Sequence, residues 1–195
     1  MKPFTLVGCG ILGKEVEALV SKNGWPIQCY FSCSSLHVNF HALRDNLEKS
    51  LRLHRDENPK VFYGACHPLM DTILESHHTI RTRGQNCIEM LLGANMFQKE
   101  LAAGAFFLLE DWAHSWKKVI SRGIGSDPGL WKEIFCSQHK YVLALRTPCS
   151  DDFSDRAETF SLAVGLPLQW ADTDLTHLEA ALRDLIHSAE ENENG

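Results

Sequence analysis

Short apolar runs alternate with stretches of helical periodicity along almost the whole chain, and this alternation constrains the fold more than any other feature. The run Phe4–Val7 is followed by Val16, Leu19 and Val20 on one helical face. Pro26–Phe31 reads as a second strand, and Phe40, Leu43, Leu47 and Leu51 then recur at helical spacing. "KVFYGA" is a third strand and "TIRTR" a shorter, more polar fourth. "NCIEMLLGANMFQKELAAG" reads as one helix and "AFFLLEDW" as a fifth strand. "AHSWKKVI" and "LWKEIF" read as helices on either side of a glycine-rich loop, followed by the strand "YVLALRT". One more helix–strand pair, "DRAETFSLAVG" and "LPLQWADTD", precedes an amphipathic helix carrying Leu175, Leu178, Leu182, Leu185 and Ile186.

Strands that alternate with helices predict an α/β three-layer sandwich with a mostly parallel central sheet, Rossmann- or flavodoxin-like. No repeat, low-complexity tract or long linker divides the sequence, so residues 1–189 are expected to form a single α/β domain with a polar tail at 190–195. In such sheets ligands bind beyond the carboxyl ends of the strands. The chemistry is therefore sought among the side chains that the pattern places there.

The first strand–helix junction, "VGCGILGK" at Val7–Lys14, fits three patterns at once. Its Gly8, Gly10 and Gly13 have the dinucleotide spacing G-x-G-x-x-G. That fingerprint also needs an acid near the end of the second strand to hold a ribose hydroxyl, and no Asp or Glu occurs from Ala18 to Arg44. A phosphate-binding P-loop is excluded because neither Ser nor Thr follows Lys14. Leu6–Cys9 also matches a lipoprotein box, but the stretch before Cys9 is too short for a signal peptide, and the chain is expected to be cytoplasmic. What remains is the cysteine itself.

Composition narrows the partners. The 195 residues carry a net charge of −6 and no Lys/Arg stripe with interleaved aromatics, so neither nucleic acid nor an anionic membrane surface is an expected partner. No apolar run approaches the roughly 20 residues that span a bilayer. The seven cysteines are odd in number and lie in a chain large enough to fold without staples, which argues against a disulfide framework.

Three of these cysteines occupy equivalent places. Cys9 follows the first strand, Cys66 follows the third in "FYGACHP", and Cys87 follows the fourth in "RGQNCIEMLLG". If the order of strands is flavodoxin-like, strands one, three and four are neighbours and the three thiols converge at one end of the sheet. Cys33, after the second strand, is a candidate fourth thiol, and His67 or His37 a candidate imidazole. Asn86 with Glu89 resembles a capping box that places Cys87 in the first turn of a helix, where the helix dipole favours thiolate. Arg81 and Arg83 bring positive charge to the same edge. Gathered thiolates are soft ligands for zinc, an iron–sulfur cluster or cuprous ion. Cys29 within a strand and Cys136 beside Phe135 read instead as apolar filler. Trp112 and Trp116 read as packing, and Glu110 and Asp111 as residues of a helix start.

The blocks "CGIL" at Cys9–Leu12, "LHVNFHALRDNL" at Leu36–Leu47, "YGACHP" at Tyr63–Pro68, "NCIEMLLG" at Asn86–Gly93 and "GAFFLLEDWAHSW" at Gly104–Trp116 resemble the domain-of-unknown-function 1638 family. The resemblance implies a cysteine-centred site, and Cys9, Cys66 and Cys87 fall on its pattern. It also implies a setting among anaerobic and methylotrophic microbes, with a corrinoid protein or methyltransferase as partner. Where many members have Cys-Gly, this chain has Cys66-His67, which makes His67 a candidate additional ligand. The expected function is a metal-binding protein using Cys9, Cys66, Cys87 and His67, with an iron–sulfur cluster or zinc. The alternative is a thiol-dependent methyl-transfer enzyme, or an accessory protein without a metal.

Overall fold

The computed structural model describes residues 3–194; the side chains of His37 and of 190–194, which include most of the expected polar tail, lie outside the described set. The chain forms two compact units, Met1–Leu91 with Leu175–Gly195, and Leu92–Asp174. Each is built around its own three-stranded parallel sheet flanked by helices, so the α/β class follows the alternation in the sequence.

In the first unit β1 (Phe4–Cys9) is the central strand, paired in parallel with β2 (Ile27–Ser32) and β3 (Lys60–Phe62). All but the last residue of β1 are buried, which is what a parallel strand covered on both faces requires. The connections run through α1 (Gly13–Asn23) and α2 (Phe40–Leu53). Helix α2 is started by Asn39, whose Oδ1 accepts from the Ala42 N–H at 3.0 Å. The buried face of α2, Leu43, Leu47 and Leu51, packs with Val7, Val61 and Tyr63 and with Met70, Ile73 and Leu74 of α3 (Met70–Ser76). The last helix, α9 (Thr176–Asn194), returns to this unit and buries Leu178, Leu182, Leu185 and Ile186. It is tied to α1 by Lys22 Nζ–Glu179 Oε2 at 3.2 Å, and Arg183 reaches back to Asn23 Oδ1 and over the Trp25 ring.

In the second unit β5 (Tyr141–Arg146) lies between β4 (Ala105–Leu108) and β6 (Leu168–Asp172). Its helices are α5 (Ala94–Ala103), α6 (Glu110–Ile124), α7 (Pro128–Gln138) and α8 (Ser154–Val164). The core is aromatic: Phe160 meets Trp116, Phe106 and Phe135 at centroid distances of 5.4, 5.3 and 5.8 Å. Trp116 is buried here and Trp112 packs on Phe106, as expected for packing residues.

Three elements differ from the sequence reading. "TIRTR" is no strand; Arg81 makes a single parallel bridge to Val61. Just beyond β3 the Tyr63 carbonyl takes the Thr82 hydroxyl at 3.1 Å, and the ladder goes no further. The long helix from Asn86 is broken by Gly93 at φ +76 into α4 (Cys87–Leu92) and α5. Strand β4 ends at Leu108, since Glu110 and Asp111 already form the first turn of α6, where their charge favours the helix dipole. Among the described residues no helix is long and apolar enough to cross a membrane.

The glycines of the first junction serve packing. A Cβ on Gly8 would lie 2.7 Å from the Phe62 Cβ and also strike the Phe62 carbonyl, so only glycine lets β1 and β3 approach at this register. On Gly13 a Cβ would meet the Phe31 ring at 3.2 Å, so glycine there lets the start of α1 pack closely on β2. Gly8→Ala is expected to destabilise the fold by about 1–3 kcal/mol through overpacking. Urea unfolding followed by circular dichroism tests this, and an unchanged midpoint contradicts it.

Candidate functional site

Cys9 is the last residue of β1 and Cys66 lies four residues beyond Phe62, the end of β3, so topology alone places both at the carboxyl edge of the first sheet. Both thiols are half-buried and pack on the same core cluster, which includes Tyr63, Val61 and Leu43. Cys87 comes from a third segment. Its position is set by Gly64, whose missing side chain lets the loop after β3 lie directly on Gln85–Asn86. A Cβ there would stand 2.6 Å from the Asn86 Cα, and the Ala65 N–H donates to the Gln85 carbonyl at 2.8 Å.

Asn86 caps α4, with its Oδ1 accepting from the Glu89 N–H at 3.0 Å. The Glu89 carboxylate reaches back to the Gln85 N–H at 3.1 Å, one residue before the reciprocal bond of a standard capping box. Cys87 therefore occupies the first helical turn, as its sequence context implies. The backbone N–H groups of Cys87 and Ile88 hydrogen-bond its sulfur and pull its pKa down.

They do not prevail. Burial pushes the Cys87 thiol well above its ordinary range, and the neighbouring Cys9 and Cys66 push it further. The sequence expectation of a thiolate at this helix start is corrected accordingly: in the metal-free protein Cys87 holds its proton. Cys66 is likewise raised by burial, opposed by a backbone hydrogen bond from Gly64 and by the charge of Arg81. Arg81 is fixed by Asp71 at 3.0 Å and by the carbonyls of Thr82 and Gly84, and it also lines an open cavity of about 590 Å³ with Glu75, Arg83 and Asp184.

Tyr63 is the residue the sequence reading passed over. It is only 5% exposed, and its phenol is held protonated first by burial and then by Cys9, Cys66 and, more weakly, Cys33. A hydrogen bond with Ser32 opposes the shift, and Ser32 Oγ in turn donates to Asn46 Oδ1. Three cysteines, Cys9, Cys66 and Cys33, thus lie within electrostatic range of one buried phenol. No spacing rule announces this, because Tyr63 reads in sequence as the last residue of an apolar strand.

The remaining candidates are placed differently. His67 is buried, with its edge to the Phe40 ring at 5.6 Å, and its Nδ1 accepts from the Leu69 N–H at 3.0 Å. That bond assigns the ring proton to Nε2 in the neutral form. The side chain of His37 lies outside the described residues. Cys33 is exposed, with its sulfur 3.1 Å from Ser35 Oγ. Arg83 is exposed. None of the seven cysteines is in a disulfide, and among the described residues no group of three His, Cys, Asp or Glu side chains is already arranged to hold a metal ion.

Cys29 provides a pH test away from this cluster. Burial, and then Glu17, push its thiol from 9.0 up to about 11. Below pH 9.0 both folded and unfolded states hold this proton; between 9.0 and about 11 the unfolded state alone releases it, so stability falls as pH rises through that window. Cys29→Ala is expected to flatten part of the decline in the urea midpoint across this range. An identical slope in the variant contradicts the assignment.

Comparison with known proteins bears on the family. The sequence model of a family described as "Protein of unknown function (DUF1638)" matches residues 31–182. That span includes Cys33, Cys66 and Cys87 and begins after Cys9. No curated protein and no solved structure matches the chain. With most of its length aligned, including two of the three central cysteines and the strand–helix units that carry them, the chain belongs to the DUF1638 family.

Proposed function

We propose that this is a metal-binding protein in which Cys9, Cys66 and Cys87 together hold an iron–sulfur cluster or a zinc ion. The observation that carries the reading is that Cys9 and Cys66, from two distant segments, lie within electrostatic range of Cys87 from a third, all three being half-buried. Cys9 and Cys66 raise the cost of ionising Cys87, and a cation among them reverses that sign. The donor set is soft and suits zinc or iron. Since the thiols are not already arranged round an ion, binding includes rotation of their side chains and release of their protons. Three protein sulfurs leave one coordination position for an exchangeable ligand. The resemblance to a family found mainly among anaerobic and methylotrophic microbes favours iron–sulfur over zinc on this reading, and a corrinoid protein or methyltransferase as partner.

Anaerobically purified protein is expected to carry either iron with acid-labile sulfide or zinc, in stoichiometric amount. Cys66→Ala is expected to lose most of it while keeping the circular dichroism of the parent. Absence of any metal after anaerobic purification and cluster reconstitution contradicts the proposal.

A second reading, a thiol that accepts a methyl group, is favoured by one feature. Of the two central thiols with a known shift, Cys66 is the one with a cation beside it, Arg81. On that reading Cys66 of metal-free protein alkylates faster than Cys87, and Arg81→Gln slows it by roughly threefold to tenfold, the scale of a half-unit to one-unit pKa change. Mass spectrometry of partially alkylated protein measures both rates, and equal rates at the two cysteines oppose this reading.

A further inference from the structure

The open cavity of about 590 Å³ that Arg81 lines is built by α3, α9 and the segment Thr79–Gly84, all within the first compact unit. Leu74, Ile80 and Leu185 give it an apolar surface. A volume of this size is ordinary for a small-molecule site and exceeds what a single amino acid fills.

Charge divides the lining. Arg81 and Arg83 come from the segment beside β3, and Thr82 between them turns inward to donate to the Tyr63 carbonyl at 3.1 Å, which leaves both guanidiniums to the cavity side. Glu75 of α3 and Asp184 of α9 bring carboxylates from the other two walls. Among the described residues Glu75, Arg83 and Asp184 enter no ion pair, although they line one space. Opposite charges that share a cavity without closing on each other leave a charge-separated slot, which a ligand carrying both signs fills best.

Arg81 is set in advance for the anionic end. Its Nε donates to Asp71 Oδ1 at 3.0 Å and its Nη1 to the carbonyls of Thr82 and Gly84 at 3.1 and 3.3 Å, which fixes the guanidinium plane and leaves Nη2 uncommitted. A fork held in this way gives up little rotamer freedom when it takes a carboxylate. With Asp71 counted, three carboxylates stand against two guanidiniums, so a polyanion meets net repulsion here.

We infer that this cavity binds a small zwitterion of dipeptide size. Its free carboxylate lies on Arg81 and Arg83, its ammonium group on Glu75 and Asp184, and its apolar side chains on Leu74, Ile80 and Leu185. The inference is independent of the three-thiol reading, and neither carries the other. Glu75, Arg83 and Asp184 are exposed, so each charge contact changes affinity only a few-fold and weakens with salt.

Leucyl-leucine titrated into the reduced full chain at low salt, followed by nitrogen–proton correlation NMR, tests this. Saturable shifts are expected at the amides of Thr79–Gly84 and of Asp184, Leu185 and Ser188. N-acetyl-leucyl-leucine and leucyl-leucinamide each lack one charge and are expected to bind about threefold to fivefold more weakly, the scale of an exposed ion pair. Arg83→Gln is expected to weaken leucyl-leucine by a similar factor and to leave leucyl-leucinamide unchanged. Asp184→Asn is expected to weaken leucyl-leucine likewise and to leave the N-acetyl peptide unchanged. Absence of saturable shifts overturns the inference, as does equal affinity for the free and blocked peptides. It is also overturned if either variant keeps the parent's affinity for leucyl-leucine or loses affinity equally for all three peptides.

Discussion

The contact on which the site depends is backbone against backbone at Gly64. The loop leaving β3 lies on Gln85–Asn86 so closely that no side chain fits between them, and one hydrogen bond, Ala65 N–H to Gln85 O, fixes the distance. This contact brings the Cys66 loop to the start of α4 and hence to Cys87. Gly8 does the same at the other side by admitting Phe62 against β1 and setting Cys9 level with the end of β3. Two glycines thus convert three remote cysteines into neighbours. Both places would be read from sequence as generic loop or nucleotide-type glycines.

Once the thiols are together, burial governs their chemistry. A helix start, two N–H donors and a nearby arginine all favour thiolate, and yet Cys66 and Cys87 are both held as thiols. Desolvation of a half-enclosed sulfur, joined at Cys87 by the repulsion of Cys9 and Cys66, outweighs those dipoles. Such a cluster is quiet until a cation arrives. Binding then removes the protons and replaces repulsion by attraction in one step. On the proposed account the same burial that suppresses the free thiols makes the site selective for soft cations over thiol-directed side reactions.

Much of this was legible in the residues. The alternation of apolar runs with helical faces revealed the parallel α/β class, and from that class followed the place of Cys9 and Cys66 at one sheet end, whereas Cys87 was assigned there through a fourth strand that does not form. The cap at Asn86 was visible because Asn and Glu three residues apart have a mechanism. Other features depended on tertiary terms that a linear pattern does not carry. "TIRTR" has strand composition, but it makes a single bridge to Val61 before the Thr82 hydroxyl takes the Tyr63 carbonyl. His67 sits beside a key cysteine, but its lone pair is taken by the turn it belongs to. Tyr63 carries no distinguishing pattern in sequence, because Ser32, Cys33 and Cys9, which act on it, come from the ends of two other strands.

The central claim is that three sulfurs share one site, and trivalent arsenic measures this without presuming which metal is native. Arsenous acid exchanges its three hydroxyls for three thiolates, releasing three waters, only where the thiols can converge on one atom. Native mass spectrometry of the reduced, metal-free protein is expected to show one arsenic retained per chain, with Cys9, Cys66 and Cys87 protected from subsequent alkylation. Retention of no arsenic, or alkylation of those three cysteines at an unchanged rate, contradicts the account.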